Sequence, residues 1–368
     1  MKKIFKTRIL FIQMVLLASL FLFPQLAWTQ DITALTEAIR KNPNDANAYY
    51  NRGSAYYDKN NFDMAIDDYT QAIKLNPNFA DAYTNRGGAY LNKKDFDKAI
   101  EDYTQAIKLN PNHARAYYYR GILYAKKYNS DFDRAIADFT QAIRLNPNYT
   151  EAYYDRGNAY DKKKDYDKAF ADYTQAIRLN PNHADAYYYR GLNYSDRKEY
   201  DSAIADFTQT IRRKQNYEAY FCRGLAYFFK NDFDNAIEDI SMAIIINPNS
   251  ANVYFYRGLA YHDKKEYDKA IADFTQAIRL NPNSADVYFY RGLAYHDKKE
   301  YDKAIADYTQ AIMLNPNHAD AYNNRGRAYS GKKDFDKAIA DYEAALKINP
   351  SHPTAKEYLE KAKKMQGN

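Results

Sequence analysis

Residues 253–270 read VYFYRGLAYHDKKEYDKA, and residues 287–304 repeat the same eighteen letters. The distance between the two copies sets a frame that runs through most of the chain. Glycines preceded by arginine fall at positions 53, 87, 121, 157, 191, 224, 258, 292 and 326, spaced by 34 residues except for one interval of 36 and one of 33. A fixed period in this range is the mark of stacked repeats, in which each unit buries a flank of its neighbour.

Nine copies occupy residues 46–79, 80–113, 114–149, 150–183, 184–216, 217–250, 251–284, 285–318 and 319–352. Within a copy numbered 1 to 34, positions 4 and 11 are always tyrosine, position 8 always glycine and position 20 always alanine. Position 24 is aromatic in all but one copy, and position 27 is alanine except at Thr210. Positions 4, 7, 8 and 11 share one helical face, and positions 17, 20, 21, 24, 27 and 28 share another. Each copy is therefore expected to form two amphipathic helices. A mid-helix glycine costs about 0.5–1 kcal/mol relative to alanine, so its recurrence implies a helix contact that a methyl group would spoil. Asn-Pro at positions 31 and 32 ends the second helix, because a residue before proline is pushed out of helical geometry.

The order aromatic-4, Gly-8, Tyr-11, Ala-20, aromatic-24, Ala-27, Pro-32 resembles the tetratricopeptide repeat. That resemblance implies an all-α fold, a right-handed α-α superhelix whose first helices line a concave groove. It also implies a role in binding other proteins. Two departures stand out: tyrosine replaces the usual tryptophan at position 4, and arginine replaces the usual leucine at position 7.

Arginine 7 lies on a buried stripe, and position 23 is aspartate in the same nine copies. A buried guanidinium without a counter-charge is very costly. Arg257 with Asp273 and Arg291 with Asp307 are thus expected to be structural ion pairs, formed within a repeat or across to its neighbour. An arginine ladder for anionic ligands is the rival reading. Residues 31–43 match only the second helix of a repeat, within an expected N-terminal half-repeat cap at 30–45, and residues 353–368 are expected to form a C-terminal capping helix with Ala355, Tyr358, Leu359 and Ala362 inward. A two-residue insertion surrounds Asn129–Ser130, and IRRKQNYEAY at 211–220 lacks Asn-Pro, either a hinge or a tolerated loop variation.

Forty tyrosines stand against one tryptophan and one cysteine, which fits one residue type filling the same structural positions repeatedly. Residues 1–29 differ from the rest: basic MKKIFKTR leads into apolar ILFIQMVLLASLFLF, then Ala27 and Thr29 sit where a cleavage site would. This pattern resembles a secretory signal peptide, with an uncleaved membrane anchor as the alternative. Export to the periplasm or outside the cell is the expected localisation. Lys2, Lys3, Lys6 and Arg8 carry four of the 53 basic residues, leaving 49 against 47 acidic ones. A nearly neutral mature chain argues against a nucleic-acid partner. Cys222 has no second cysteine for a disulfide. The sequence contains no nucleophile–base constellation, phosphate loop or metal-ligand cluster, so neither an enzyme nor a cofactor is expected.

Function must then come from the face that stacking leaves free. Position 5 is aromatic in seven copies, including Tyr154, Tyr188, Phe221, Phe255 and Phe289, and position 9 is leucine at Leu192, Leu225, Leu259 and Leu293. Exposed contiguous apolar surface and aromatic anchors are usual features of interfaces. The expected site combines these rings and leucines with Tyr256, His262, Tyr290 and His296, which the two identical segments place on successive rungs. Packing of position-5 rings on neighbouring helices is the plainer alternative. Lysine is absent from position 5, so the carboxylate-gripping activity of some family members does not carry over. His262 and His296, about 10 Å apart on adjacent helices, are too distant to share a metal ion alone. His113, His183, His318 and His352, at position 34, are expected in exposed turns. The expected function is a non-catalytic scaffold of the cell envelope that binds an extended or helical protein segment. A glycan-binding protein and a self-associating structural element are the alternatives.

Overall fold

A computed structural model of the chain describes residues 32–126 and 131–367. The leader-like segment 1–29 and the insertion around Asn129–Ser130 lie outside the described residues. Two compact units divide the chain at Pro181 and Asn182. The first contains α1 (residues 32–41), α2 (Ala46–Asp58), α3 (Phe62–Leu75), α4 (Ala80–Asn92), α5 (Phe96–Leu109), α6 (Ala114–Lys126), α7 (Phe132–Leu145), α8 (Thr150–Lys162) and α9 (Tyr166–Leu179). The second contains α10 (Ala184–Asp196), α11 (Tyr200–Arg213), α12 (Tyr217–Phe229), α13 (Phe233–Ile246), α14 (Ala251–Asp263), α15 (Tyr267–Leu280), α16 (Ala285–Asp297), α17 (Tyr301–Leu314), α18 (Ala319–Gly331), α19 (Phe335–Ile348) and α20 (Ala355–Gln366). Within each unit, every first helix packs on its own second helix and on neighbours in the stack.

The spacing of each hairpin is set by the glycine at position 8. A methyl built on Gly258 would stand 2.7 Å from Cε1 of Phe274, and one on Gly292 would stand 2.9 Å from Cε1 of Tyr308. The ring edge therefore rests on bare backbone, and the alanines at position 20, such as Ala270 and Ala304, are fully buried beside it. Close packing of this kind leaves no volume for an added carbon.

The turn between the two helices is also the same in every copy but the third, whose turn lies outside the described residues. After α14, Glu266 N–H donates to the Tyr261 carbonyl and Lys265 N–H to the His262 carbonyl, both at 2.8 Å. These bonds close a Schellman motif, which needs a left-handed residue between them. Lys265 fills that place with φ 63°, and Asn60, Lys94, Lys164, Lys198, Asn231, Lys299 and Lys333 fill it elsewhere. At the far end, Asn281 takes an extended φ of −139° before Pro282, and its N–H still reaches Ala277. Lys214 adopts the same extended geometry at the end of α11 without a following proline. Asn216 Oδ1 then accepts the Ala219 N–H at 2.6 Å and starts α12. The missing Asn-Pro thus leaves a helix end of the usual kind.

Arginine 7 is paired within its own hairpin in all nine copies. Arg257 Nε and Nη2 each donate to one oxygen of Asp273 at 2.7 Å, and Arg291 does the same to Asp307 at 2.8 and 2.7 Å. Side chains of these aspartates are only 7–8% exposed. The third donor crosses to the preceding copy, where Arg257 Nη1 meets Ser241 Oγ at 2.9 Å and Arg291 Nη1 meets Thr275 Oγ1 at 3.1 Å. Tyrosines 4 and 11 flank the cation, with Tyr254 and Tyr261 at 5.9 and 5.8 Å from the Arg257 guanidinium carbon. Burial works against the Arg257 charge, and the Asp273 hydrogen bonds overcome it, holding the guanidinium pKa above its ordinary value. The arginines are consumed by structure.

Two outcomes follow from these contacts. Arg257→Leu strands the Asp273 carboxylate and lowers local stability by about 3–5 kcal/mol, read as faster native-state hydrogen exchange in α15. Combining it with Asp273→Ala removes the stranded charge and recovers most of that loss; failure to recover would refute the pairing account. Lys265→Gly relieves a left-handed conformation that costs other residues about 1–2 kcal/mol, and after the larger chain entropy lost by glycine a net gain of about 0.5–1 kcal/mol is expected in the same measurement.

Candidate functional site

The first helices α12, α14 and α16 follow one another in the second unit and present positions 5, 6, 9 and 12 on one side. Phe255 is half-buried. Its ring lies 6.0 Å from Phe274 of its own hairpin and 5.5 Å, edge-on, from Tyr290 of the next. Phe221 makes the equivalent edge contact with Tyr256 at 5.8 Å, and Phe289 touches Tyr290 at 5.3 Å and Tyr308 at 5.8 Å. The position-6 tyrosines therefore bridge successive position-5 rings, a link that the sequence pattern alone does not show. The result is a run from Phe221 through Tyr256, Phe255 and Tyr290 to Phe289, flanked by half-buried Leu225, Leu259 and Leu293.

The run has definite ends within this unit. Toward α10, Tyr188 packs on Phe207 at 5.9 Å, and its hydroxyl stands 3.9 Å from Cys222 Sγ. Burial pushes the Cys222 thiol up to about 11, so it is a neutral filler at physiological pH. Toward α18, positions 5 and 6 become Asn323 and Asn324, both buried. In the first unit, Tyr154 lies 6.1 Å from Tyr173 of its own hairpin. Tyr118 is nearly buried and donates its hydroxyl to Asp155 Oδ2 at 2.8 Å.

The two identical segments also place their histidines differently. His262 Nε2 lies 3.1 Å from Asp297 Oδ2 of the next rung, and its ring meets Tyr267 edge-on at 5.4 Å. His296 has Gly331 at the corresponding place on α18 and instead lies 3.4 Å from Asp297 of its own helix. Burial, followed by the charge of Arg327, lowers the His296 pKa below its ordinary value, which keeps this ring neutral at pH 7. No group of three or more His, Cys, Asp or Glu among the described residues could hold a metal ion.

The position-34 histidines require a correction. His113 and His352 are buried in the structure, not exposed in turns. His352 Nδ1 accepts the Ala355 N–H at 3.3 Å, and its Nε2 lies 3.1 Å from Asp320 Oδ1. His113 Nδ1 accepts the Ala116 N–H at 3.4 Å, with Nε2 at 3.0 Å from Asp81 Oδ1. Each ring satisfies an otherwise orphaned amide at the next helix start, and that role draws it under the stack. His318 covers Phe289 at 4.8 Å, as Phe79 covers Tyr50 and Tyr149 covers Tyr118. Position 34 is thus part of the surroundings of the position-5 ring.

Comparison with known proteins gives one family. Sequence profiles described as tetratricopeptide repeat match residues 46–79, 80–113, 102–137, 150–183, 217–250 and 319–352, and one described as TPR repeat matches 128–164, 258–299 and 292–333. No curated protein matches the chain. Among solved structures, one titled as YrrB, a TPR protein with an unusual peptide-binding site, is 25% identical, with a TM-score of 0.47, over 50% of this chain and 95% of its own. A MamA structure is 30% identical over 44% of this chain and 95% of its own, with a TM-score of 0.43. A tetratricopeptide repeat protein from Parabacteroides merdae is 22% identical over 72% of this chain and 99% of its own, with a TM-score of 0.45.

Proposed function

The chain belongs to the tetratricopeptide-repeat family, whose members are non-catalytic scaffolds that bind protein partners, and from that premise we propose that it is an exported scaffold of the cell envelope. Its binding face is the side of α12, α14 and α16 that carries Phe221, Tyr256, Phe255, Tyr290 and Phe289, and the partner is an extended protein segment rich in apolar side chains. The observation that carries this reading is the unbroken run of half-buried rings from one first helix to the next, with a leucine beside each rung. Rings already held by their neighbours lose little rotamer freedom on binding, which favours their use as anchors. Two successive rungs carry the same residue types from Phe255 to His262 and from Phe289 to His296, so modest contacts to both combine along one ligand. Export is supported by the basic start and the apolar stretch of residues 1–29.

Tyr256→Asn with Tyr290→Asn tests the binding face, because Asn51, Asn85 and Asn324 occupy the same position in other copies. The double variant is expected to keep its helical content and to lose at least about 10-fold in affinity, or about 1.4 kcal/mol, for apolar peptides selected against the wild-type chain. Unchanged peptide affinity would refute the site. Loss of sedimentation with cell-wall glycan, with peptide binding intact, would instead favour a glycan ligand. Export has its own test: intact-mass analysis of the envelope-fraction protein is expected to show a chain beginning at Gln30, and recovery of full-length protein in the cytoplasmic fraction alone would overturn it.

A further inference from the structure

Position 9 of the first helix is leucine in copies 5 to 8 but Ser54 and Gly88 in copies 1 and 2. In the first unit this shortage of side chain leaves a half-enclosed pocket of about 190 Å³ between α2, α4 and α6. A cavity of about 150 Å³ holds benzene in another protein, so there is room here for one substituted six-membered ring. Gly88 is not required by helix packing: a methyl on it would meet Tyr57 at an ordinary 3.5 Å, whereas one on the adjacent Gly87 would stand 2.9 Å from Tyr103.

The lining has a definite chemistry. Tyr103 and Tyr119 stack at 5.8 Å and 20°, giving a flat aromatic wall. Tyr69 spends its hydroxyl on Ser54 at 3.1 Å, and Tyr57 accepts from Asn92 Nδ2 at 2.8 Å. Tyr103 lines the same pocket, and its hydroxyl is buried without a hydrogen-bond partner among the described residues. A buried hydroxyl without a protein partner leaves a hydrogen bond for a ligand that reaches it. At the mouth, Arg115 lies over the Tyr119 ring at 5.9 Å and has no carboxylate partner among the described residues. Unlike the position-7 arginines, it is not paired with a carboxylate and hydrogen-bonds Tyr119 instead. Exposed Asp58 shares the lining, and its negative charge repels a doubly charged phosphate more than a singly charged ligand.

We propose that this pocket binds a small aromatic carboxylate, with its ring against the tyrosine wall, its carboxylate on Arg115 and a polar ring substituent toward the Tyr103 hydroxyl. The site is separate in residues from the aromatic run of α12 to α16, and either can fail without the other.

Calorimetric titration of the full chain with 4-hydroxybenzoate, benzoate, 4-hydroxybenzyl alcohol and inorganic phosphate tests it. The expected result is saturable binding of 4-hydroxybenzoate, at least about 10-fold weaker binding of the alcohol, and none of phosphate. Gly88→Leu, which installs the residue of copies 5 to 8, and Arg115→Gln each weaken 4-hydroxybenzoate at least about 10-fold. Tyr103→Phe, matching Phe139, Phe207 and Phe274, removes the preference for 4-hydroxybenzoate over benzoate. Should Gly88→Leu misfold by circular dichroism, Arg115→Gln decides the question. No saturation below about 10 mM, binding undiminished in a folded Gly88→Leu variant or in Arg115→Gln, or equal binding of phosphate would each overturn the assignment.

Discussion

A side chain pressed against a glycine backbone, a ring edge in all copies but the sixth, where it is Ile240, governs the geometry of every hairpin. Phe274 against Gly258 and Tyr308 against Gly292 bring the two helices so close that no side chain fits between them. The rest of the repeat follows from that approach. Alanine at position 20 fills the narrow side, the tyrosines at 4 and 11 fill the wider flanks, and the cation at position 7 is trapped among them. Its aspartate partner neutralises the trapped charge, because an ion so placed without compensation would cost several kcal/mol. Each copy thus makes its own internal pair, and within each unit one guanidinium donor is left for a hydroxyl of the preceding copy, so a single arginine ties both the hairpin and the stack.

Identical hairpins would give identical outer faces, yet the two units differ where packing has no vote. Position 9 changes from serine and glycine through isoleucine and asparagine to four leucines without disturbing the helices that carry it. Position 6 changes from asparagine to tyrosine or cysteine in the same way. Variation at these places alters what a ligand would meet and little else. That is why the first unit has a tyrosine-walled pocket beside Gly88 and the second has a continuous aromatic run.

Nine copies in one chain made the helical pairs legible, since a position that never varies across Tyr254, Tyr288 and their counterparts reports a demand of packing. The Arg–Asp pairing was legible for the same reason. Other features lay hidden because no single residue type announces them. Lysine at position 15 gives no hint of a left-handed conformation, which comes from the hydrogen bonds that close the turn. Histidine at position 34 follows a proline-bearing loop and looks solvated, but its Nδ1 is within reach of the next helix's free amides. The bridging of Phe255 by Tyr290 depends on the offset between neighbouring helices, which composition and period do not specify. The pocket beside Gly88 is an absence of atoms, and its only trace in the sequence is a second glycine after the invariant one.

The duplicated segment shows how a repeated rung can depend on its successor. Phe255 needs Tyr290, and His262 needs Asp297, each supplied by the next copy of the same eighteen letters. Phe289 and His296 have the same needs, but α18 supplies Asn324 and Gly331 instead. His318 covers Phe289 from its own copy, and His296 falls back on the carboxylate of its own helix. A two-rung motif is therefore complete only at its first rung, and its second rung presents a ring with one edge unmatched by a following tyrosine. An apolar segment laid across these helices would find that edge the least satisfied by the protein itself, which makes the end of the aromatic run, rather than its middle, the place where a ligand has most to add.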